Sequence, residues 1–267
     1  MASDFTGKQT YQQDFDPTDY LETYYGAGKG VFIKDGFMEF ALRKLHEAFT
    51  TGGVKGDTLI DIGPGPAIYQ ELSACEAFKE IIAADFTDRN RQYLVKWLKN
   101  EPGMFDWTPA VKFVCELEGR SDNIVGKQEK LRKTLKRIVK CDVTKSNPLE
   151  PLLLPQVDCV TTLGCLECAC KDQDTYRKVL RNLSSLLKVG GCLIVTDILG
   201  STSFLSGTKR FSLLNLDEAF IRKAITDTGF AMVDLEVLQR DFDKEMFDVC
   251  DHTSSIFYVA RKVKEVK

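Results

Sequence analysis

The chain has 267 residues, 43% hydrophobic and 28% charged, with a formal net charge of −3; that is enough apolar material for one large domain, with no basic field to suit nucleic acid. No apolar run reaches the ~18 residues of a membrane span, and the N-terminal Met-Ala-Ser-Asp-Phe-Thr lacks the basic and apolar regions of a secretory signal. Nine cysteines, an odd number without such a signal, point to reduced thiols in the cytoplasm.

In chain order, Tyr11, Phe15, Tyr20, Tyr24 and Tyr25 first crowd one short segment. Asp16-Pro17 reads as a helix start with proline in the first turn. Tyr20 and Tyr24 are four apart and share a face, which either docks an N-terminal helix or covers a ligand. A helix is predicted over 38–49. Strands Thr58–Ile62, Ile81–Asp85, Arg137–Val143, Val157–Leu163 and Cys192–Ile198 then alternate with helices over 68–77, 89–100, 127–136 and 173–187. Such alternation predicts a doubly wound α/β sheet with parallel pairing. Lys188-Val-Gly190-Gly191 stops a helix and turns the chain into a strand. A helix over Leu216–Thr228 precedes Met232–Arg240 and Ser254–Lys262, an antiparallel pair that completes seven strands. Segments 101–126 and 199–215 read as irregular insertions, which in compact domains often carry function. We read one domain over 1–267: lid and helices in 1–50, the sheet in 51–267, and the main core after residue 38.

The most informative stretch is Asp57-Thr-Leu-Ile-Asp-Ile-Gly-Pro-Gly-Pro-Ala-Ile-Tyr69. It reads as a buried strand, a tight Gly63-Pro64-Gly65 turn and a helix start. Two glycines let a ligand lie against bare backbone, and a helix start offers unpaired N–H groups at its positive end. No Gly-Lys-Ser/Thr follows, so this is no phosphate loop. The last position of a dinucleotide Gly-x-Gly-x-x-Gly is Ile68 here. Asp61 two residues before Gly63, with small Ala67 two after Gly65, fits the loop of S-adenosylmethionine enzymes. That cofactor has no pyrophosphate and carries an ammonium, a carboxylate and a sulfonium.

Ligands of doubly wound sheets bind at the C-terminal ends of the strands. There the sequence gathers Asp61, Asp85, Asp142, Glu167 and Asp197. Like charges repel, so a purely structural rim gains little by collecting them; as a set they favour a polar, cationic or hydroxyl-bearing ligand. Asp85 is placed to accept ribose hydroxyls, and Asp142 to accept from an adenine amine with Val143 against the ring.

Several motifs lie outside the cofactor loop. They are Phe15-Asp-Pro17 with Asp19-Tyr20-Leu-x-x-Tyr24-Tyr25, Leu59-Ile-Asp-Ile-Gly63, Ile68-Tyr69-Gln70, Glu101-Pro-x-x-Phe-Asp-Trp107, Cys115-Glu-Leu-Glu-Gly119 and Lys140-Cys-Asp142-Val143. From about Phe5 to Lys262 the chain resembles the family of nicotinamide, phenylethanolamine and indolethylamine N-methyltransferases. The resemblance implies a Rossmann-like class I methyltransferase sheet under an N-terminal helical lid. It implies that Tyr20, Tyr25, Gly63, Tyr69, Asp85, Asn90, Asp142, Val143 and, through its backbone, Leu163 hold S-adenosylmethionine. Tyr24 would close the lid beside the substrate. The loop departs from the family's Gly-Ser-Gly-Pro-Thr: Pro64 and Ala67 remove two hydroxyls, and Pro64 also an N–H donor.

The positions tied to substrate divide. Asp197 resembles the acidic substrate contact of the nicotinamide enzyme, yet Phe204 stands where that enzyme has a tyrosine and Leu213 where it has an amide-binding serine. Thr87-Asp-Arg-Asn-Arg91, Trp107-Thr-Pro-Ala-Val-Lys-Phe113 and Glu167-Cys-Ala-Cys170 are closer to the indolethylamine branch. The expected substrate is therefore a small aromatic amine such as tryptamine, with nicotinamide as the alternative. Glu167 and Asp197 are the expected groups to bind the cation and relay its proton. The altered loop leaves a cofactor-binding protein without turnover as the rival from another class. A monomer is expected, acting on a small-molecule amine, without nucleic acid, membrane or metal. Cys165-x-x-Cys168-x-Cys170 lacks a second pair at zinc spacing and reads as packed thiols. The basic run Lys127–Arg137, with Leu131, Leu135 and Ile138 on one side, reads as a helix with a solvated face.

Overall fold

A computed structural model describes residues 5–241 and 243–265. The chain opens with helices α1 (Lys8–Asp14), α2 (Pro17–Tyr25), α3 (Val31–Lys34) and α4 (Phe37–Phe49). The Asp16 carboxylate accepts from the Thr18 and Asp19 amides, and Pro17 sits in the first turn, so α2 starts at the expected place. Strand β1 (Gly56–Ile62) is followed by a short 3-10 turn, Tyr69–Glu71, by α5 (Ala74–Ala77) and by β2 (Phe78–Asp85). Helices α6 (Asp88–Leu98), α7 (Thr108–Leu117) and α8 (Ile124–Thr134) lead to β3 (Leu135–Lys140). Then come β4 (Val157–Leu163), α9 (Leu166–Ala169), α10 (Gln173–Leu186) and the long β5 (Leu187–Leu199). A hairpin of β6 (Ser203–Ser206) and β7 (Lys209–Ser212) stands apart from the sheet. The chain ends with α11 (Glu218–Asp227), β8 (Phe230–Gln239), α12 (Lys244–Val249) and β9 (Ser254–Lys262).

The sheet order is β3-β2-β1-β4-β5-β9-β8. Strands β1 to β5 pair in parallel, while β9 runs antiparallel to both β5 and β8. This is the expected doubly wound, mostly parallel sheet. Its direction of winding reverses between β1 and β4, which opens a crevice at their carboxyl ends. Side chains alternate across the sheet. Leu59, Ile81, Ala83, Ile194 and Phe257 join one core with the N-terminal helices. Ile60, Ile62, Ile82, Val195 and Tyr258 join the other with α10 and α11.

Five local expectations are corrected. The segment 68–77 is only a 3-10 turn and one short helix, with residues 67–75 all buried. Segment 101–126 holds α7, with Pro109 in its first turn, and the start of α8. Segment 199–215 holds the β6–β7 hairpin, where Phe204 stacks on Phe211 with ring centroids 5.2 Å apart. Lys127 is buried in an ion pair with Glu76 at 2.9 Å and Glu118 at 2.5 Å, so the basic run is not a freely solvated face. Leu135 and Ile138 already belong to β3. Finally, Leu21, Tyr24, Tyr25 and Phe32 share a core with β1, so the main core begins well before residue 38.

That last point carries a stability prediction. Leu21 is fully buried, and Leu21→Ala is expected to cost about 2–5 kcal/mol. Denaturant unfolding measures it; an unchanged midpoint would put α2 outside the cooperative core.

Candidate active site

The carboxyl ends of β1, β2, β4 and β5 and the N-terminal helices enclose a cavity of about 400 Å³, within the range of small-molecule sites. The structure brings Tyr20, Tyr24, Tyr25, Gly63, Tyr69, Asp85, Asn90, Asp142, Val143, Leu163, Glu167, Asp197, Phe204 and Leu213 to its wall, but of the five acids expected at the rim Asp61 stays off it.

The turn after β1 needs its glycines. Gly63 and Gly65 have φ of 66° and 63°, a region L side chains rarely adopt. A Cβ on Gly63 would also lie 2.3 Å from the Cys165 sulfur, whereas one on Gly65 would meet only Asn90 Nδ2, in ordinary contact at 3.9 Å. The Gly65 amide donates to Asp85 Oδ2 at 3.0 Å. Asp85 Oδ1 accepts from the Thr87 amide, the Thr87 hydroxyl and the Asn90 side-chain amide at 2.8–3.1 Å. Burial nevertheless pushes the Asp85 carboxyl up, against those four donors. Asn90 Oδ1, beside it, is a buried acceptor without a donor. A ligand diol can donate to this corner. The missing Pro64 N–H leaves the Gly65–Asp85 contact intact.

Aromatic rings roof the cavity. Tyr20 lies 6.0 Å from Tyr25, which lies 5.4 Å from Tyr69, centroid to centroid. Burial holds all three neutral by pushing their titration well up. Tyr24 packs 4.9 Å from Tyr20 and donates to the Leu205 carbonyl at 2.9 Å, tying α2 to the β6–β7 hairpin.

Asp142 lies just beyond β3, not inside a strand reaching Val143 as expected. Its carboxylate meets Lys8 at 2.7 Å and the Thr144 hydroxyl at 2.8 Å. Burial pushes its titration up, but Lys8 and Thr144 outweigh that and hold it low. Sequence reasoning missed Lys8, which reaches Asp142 from α1 across 134 positions; no local pattern announces such a contact.

Glu167, in the first turn of α9, and Asp197, near the end of β5, are both buried against the cavity. Glu167 Oε1 accepts from the Ile198 amide at 3.3 Å. Asp197 Oδ2 accepts from the Tyr176 hydroxyl at 2.5 Å, itself 3.1 Å from the Tyr258 hydroxyl. Glu167 Oε2 and Asp197 Oδ1 have no donor. Burial, then the neighbouring Asp197 carboxylate, pushes Glu167 well above the usual carboxylate range. Burial also raises Asp197, to about 6, although the Tyr176 hydroxyl and then the neighbouring Glu167 pull it down. Tyr176 and Tyr258 were missed as well. Tyr176 hides in the apolar stripe of α10, where a tyrosine reads as packing.

A second carboxyl pair, Asp61 and Glu71, lies beneath the glycine turn and away from the cavity wall. Asp61 accepts from the Thr161 hydroxyl at 3.0 Å, while both Glu71 oxygens and Asp61 Oδ2 lack donors. Burial pushes Asp61 to about 7, against the pull of Gln70, Thr161 and Glu71, while burial and then the Asp61 charge push Glu71 well up. A proton held between them supplies the missing donor.

Orphaned acceptors, a carboxylate corner beside a bare glycine turn and apolar walls suit a cofactor with hydroxyl, ammonium and amine donors. A site of this kind, at the switch point of a class I Rossmann-like sheet, defines an S-adenosylmethionine-dependent methyltransferase. Comparison with known proteins narrows the class. The model of the NNMT/PNMT/TEMT family matches residues 3–263, and the chain belongs to that family of N-methyltransferases. It is 50% identical over 262 residues to indolethylamine N-methyltransferase of Oryctolagus cuniculus, covering 98% of each chain. It is 49% identical over 246 residues to nicotinamide N-methyltransferase of Sus scrofa, covering 92% of this chain and 93% of that one. Among solved structures, magnesium protoporphyrin IX methyltransferase of Synechocystis with bound SAM matches with a TM-score of 0.57 at 15% identity, over 97% of this chain and 100% of that one; this is a likeness of fold.

The Asp61–Glu71 pair makes stability depend on pH. Both titrate higher folded than unfolded, so the folded state binds more protons and stability falls as pH rises from ~4, the ordinary carboxylate value, through about 7. Glu71→Gln removes one of these acids and gives Asp61 a neutral donor. Its gain in unfolding free energy over the natural protein is expected to be larger at pH 8 than at pH 5. Parallel stability curves would sink this reading.

Proposed function

We propose that the enzyme methylates the nitrogen of a small arylalkylamine, of which tryptamine is the type. The observation that carries this is the substrate end of the cavity. Phe204 and Leu213 are buried there and line an apolar wall next to Glu167 and Asp197. The groups acting most strongly on those two acids are each other, Tyr176 and the local backbone, with no lysine or arginine among them. An aromatic body fits the wall, and an ammonium supplies the positive charge that the acids lack.

In this reading Asp85 and Asn90 hold the ribose, Tyr20, Tyr25 and Tyr69 the methionine end, Gly63 and Leu163 the backbone face, and Asp142 with Val143 the adenine. S-adenosylmethionine supplies an electrophilic methyl group on sulfur. The protein aligns the amine nitrogen with it and keeps water out beneath the tyrosine roof, which is the dominant form of catalysis open to such a site. The amine arrives protonated and must become neutral. Glu167 or Asp197 takes that proton, directly or through water. Nicotinamide is the second reading, favoured by Asp197. Its ring nitrogen is already neutral and needs no base, so Asp197 would only orient the amide. Leu213 weakens this reading, since it offers an amide no hydrogen bond. One domain carries both ends of the site. The acidic balance and nine free thiols support a cytoplasmic monomer that does not engage nucleic acid. No helix among the described residues is long and apolar enough to cross a membrane.

Two variants test the assignment. Hydrogen bonds to a charged group contribute about 1.5–3 kcal/mol, so Asp85→Ala is expected to weaken S-adenosylmethionine binding at least tenfold by calorimetry. Unchanged affinity in a folded protein removes Asp85 from the ribose.

Asp197→Ala is expected to lower kcat/KM for the best amine roughly 10²-fold while leaving S-adenosylmethionine affinity nearly unchanged. Full activity on every accepted substrate would show that the substrate end is misplaced.

A further inference from the structure

The pair at the substrate end can present two different faces. Each of its acids spends one oxygen on the protein: Glu167 Oε1 on the Ile198 amide, Asp197 Oδ2 on the Tyr176 hydroxyl. Each leaves one oxygen buried without a donor. The other titratable groups around the pair are Tyr176 from α10, Tyr258 from β9, Tyr11 from α1, Tyr69 from the 3-10 turn, and Cys165, Cys168 and Cys170 around α9. Burial holds all of these neutral, so none can balance two negative charges. Two adjacent buried carboxylates without a counter-charge do not both stay ionised. One proton between the orphaned oxygens removes one charge and satisfies both acceptors.

We propose that Glu167 and Asp197 share one proton until substrate binds, and that its fate selects the substrate class. When the pair keeps the proton, it shows one O–H donor and one carboxylate acceptor, the complement of a primary carboxamide. When it loses the proton to solvent, it shows two carboxylates, the complement of an alkylammonium. The binding step balances: the ammonium enters with its charge and one proton leaves the pair. The later loss of the substrate's own proton then has a ready acceptor in the emptied pair.

The proton rests on Glu167. Asp197 has a strong donor in Tyr176, which favours its ionised form, whereas Glu167 has only a longer contact to a backbone amide. The direction of both titrations agrees, with Glu167 pushed well above the usual range and Asp197 to about 6. The arrangement explains how one cavity can take an amine and a neutral heteroaromatic amide without a change of side chain.

This proposal rests on the amine-site reading above, and the experiment separates the two. Tryptamine and nicotinamide are titrated by calorimetry at pH 7 into the full-length protein saturated with S-adenosylhomocysteine, in buffers of different ionisation enthalpy. The expected result is release of about one proton with tryptamine and about none with nicotinamide. Glu167→Gln, which fixes a neutral donor and acceptor, is expected to abolish the release and to lower tryptamine affinity relative to nicotinamide at least tenfold. Equal proton release for both ligands in the natural protein overturns the shared proton and leaves the amine site standing. Binding of neither ligand overturns both.

Discussion

The carboxylate of Asp85 is the fastening on which the rest of the site depends. It joins the end of β2, the first turn of α6 and the glycine turn after β1 through four donors. Thr87 supplies two of them and caps α6 with the same hydroxyl, which accepts from the Asn90 amide. The Gly63 amide donates to the Ala84 carbonyl at 2.7 Å, so strand pairing runs on into the turn. A ligand here meets a wall already formed, and little ordering entropy is left to oppose binding. It also explains why Pro64 is tolerated. The N–H that the corner requires belongs to Gly65, and a proline one residue earlier restricts the chain without removing that donor.

Buried charge is handled in two ways. Where the chain buries a cation it supplies acids: Glu76 and Glu118 for Lys127, and Glu47, Asp234 and Glu236 for Lys44. Lys262 points into two carbonyls and Glu265. The two carboxyl pairs receive no such partner. Asp61 and Glu71 are sealed under the glycine turn, where a retained proton is purely structural and makes the folded protein less stable towards alkaline pH. Glu167 and Asp197 have the same chemistry but open onto the cavity, where a ligand can supply the charge or the donor. Access alone separates a pair with only a structural part from one that, in the proposed reading, recognises substrate.

Much of this was legible in the sequence. Strand and helix alternation announced the sheet, and Gly63, Gly65 and Asp85 announced the tight corner at the ends of β1 and β2, because both depend on local rules of spacing and backbone freedom. The errors share a cause in long-range packing. The expected helix at 68–77 breaks into a 3-10 turn and one short helix inside the core, which its local pattern does not announce. Thr108-Pro109 starts a helix inside a segment read as loop, since its apolar face pays off only against the core. Lys127 looks solvated in a basic run because its acids, Glu76 and Glu118, come from other segments. Lys8 and Tyr176 matter through partners 134 and 21 positions away, and no spacing rule reaches either.

The two walls of the cavity differ in how they are held. The cofactor wall comes from strand ends, locked by the sheet. The apolar part of the substrate wall comes largely from the β6–β7 hairpin and its return, Phe204 to Leu213. That hairpin is held by side chains from other segments: Phe211 against Tyr11 and Phe15, Phe204 against Tyr20 and Tyr24, the Tyr24 hydroxyl on the Leu205 carbonyl, mutual bonds between Thr6 and Ser212, and the Asp251 carboxylate on the Thr202 and Ser203 amides. An apolar wall discriminates weakly, about 1–3 kcal/mol per methylene, whereas unsatisfied buried polar groups discriminate far more. Changes on the hairpin, such as a hydroxyl in place of Leu213, therefore adjust substrate preference without touching the cofactor corner. In the proposed reading the strong discrimination stays with Glu167 and Asp197, on α9 and β5, outside the hairpin itself.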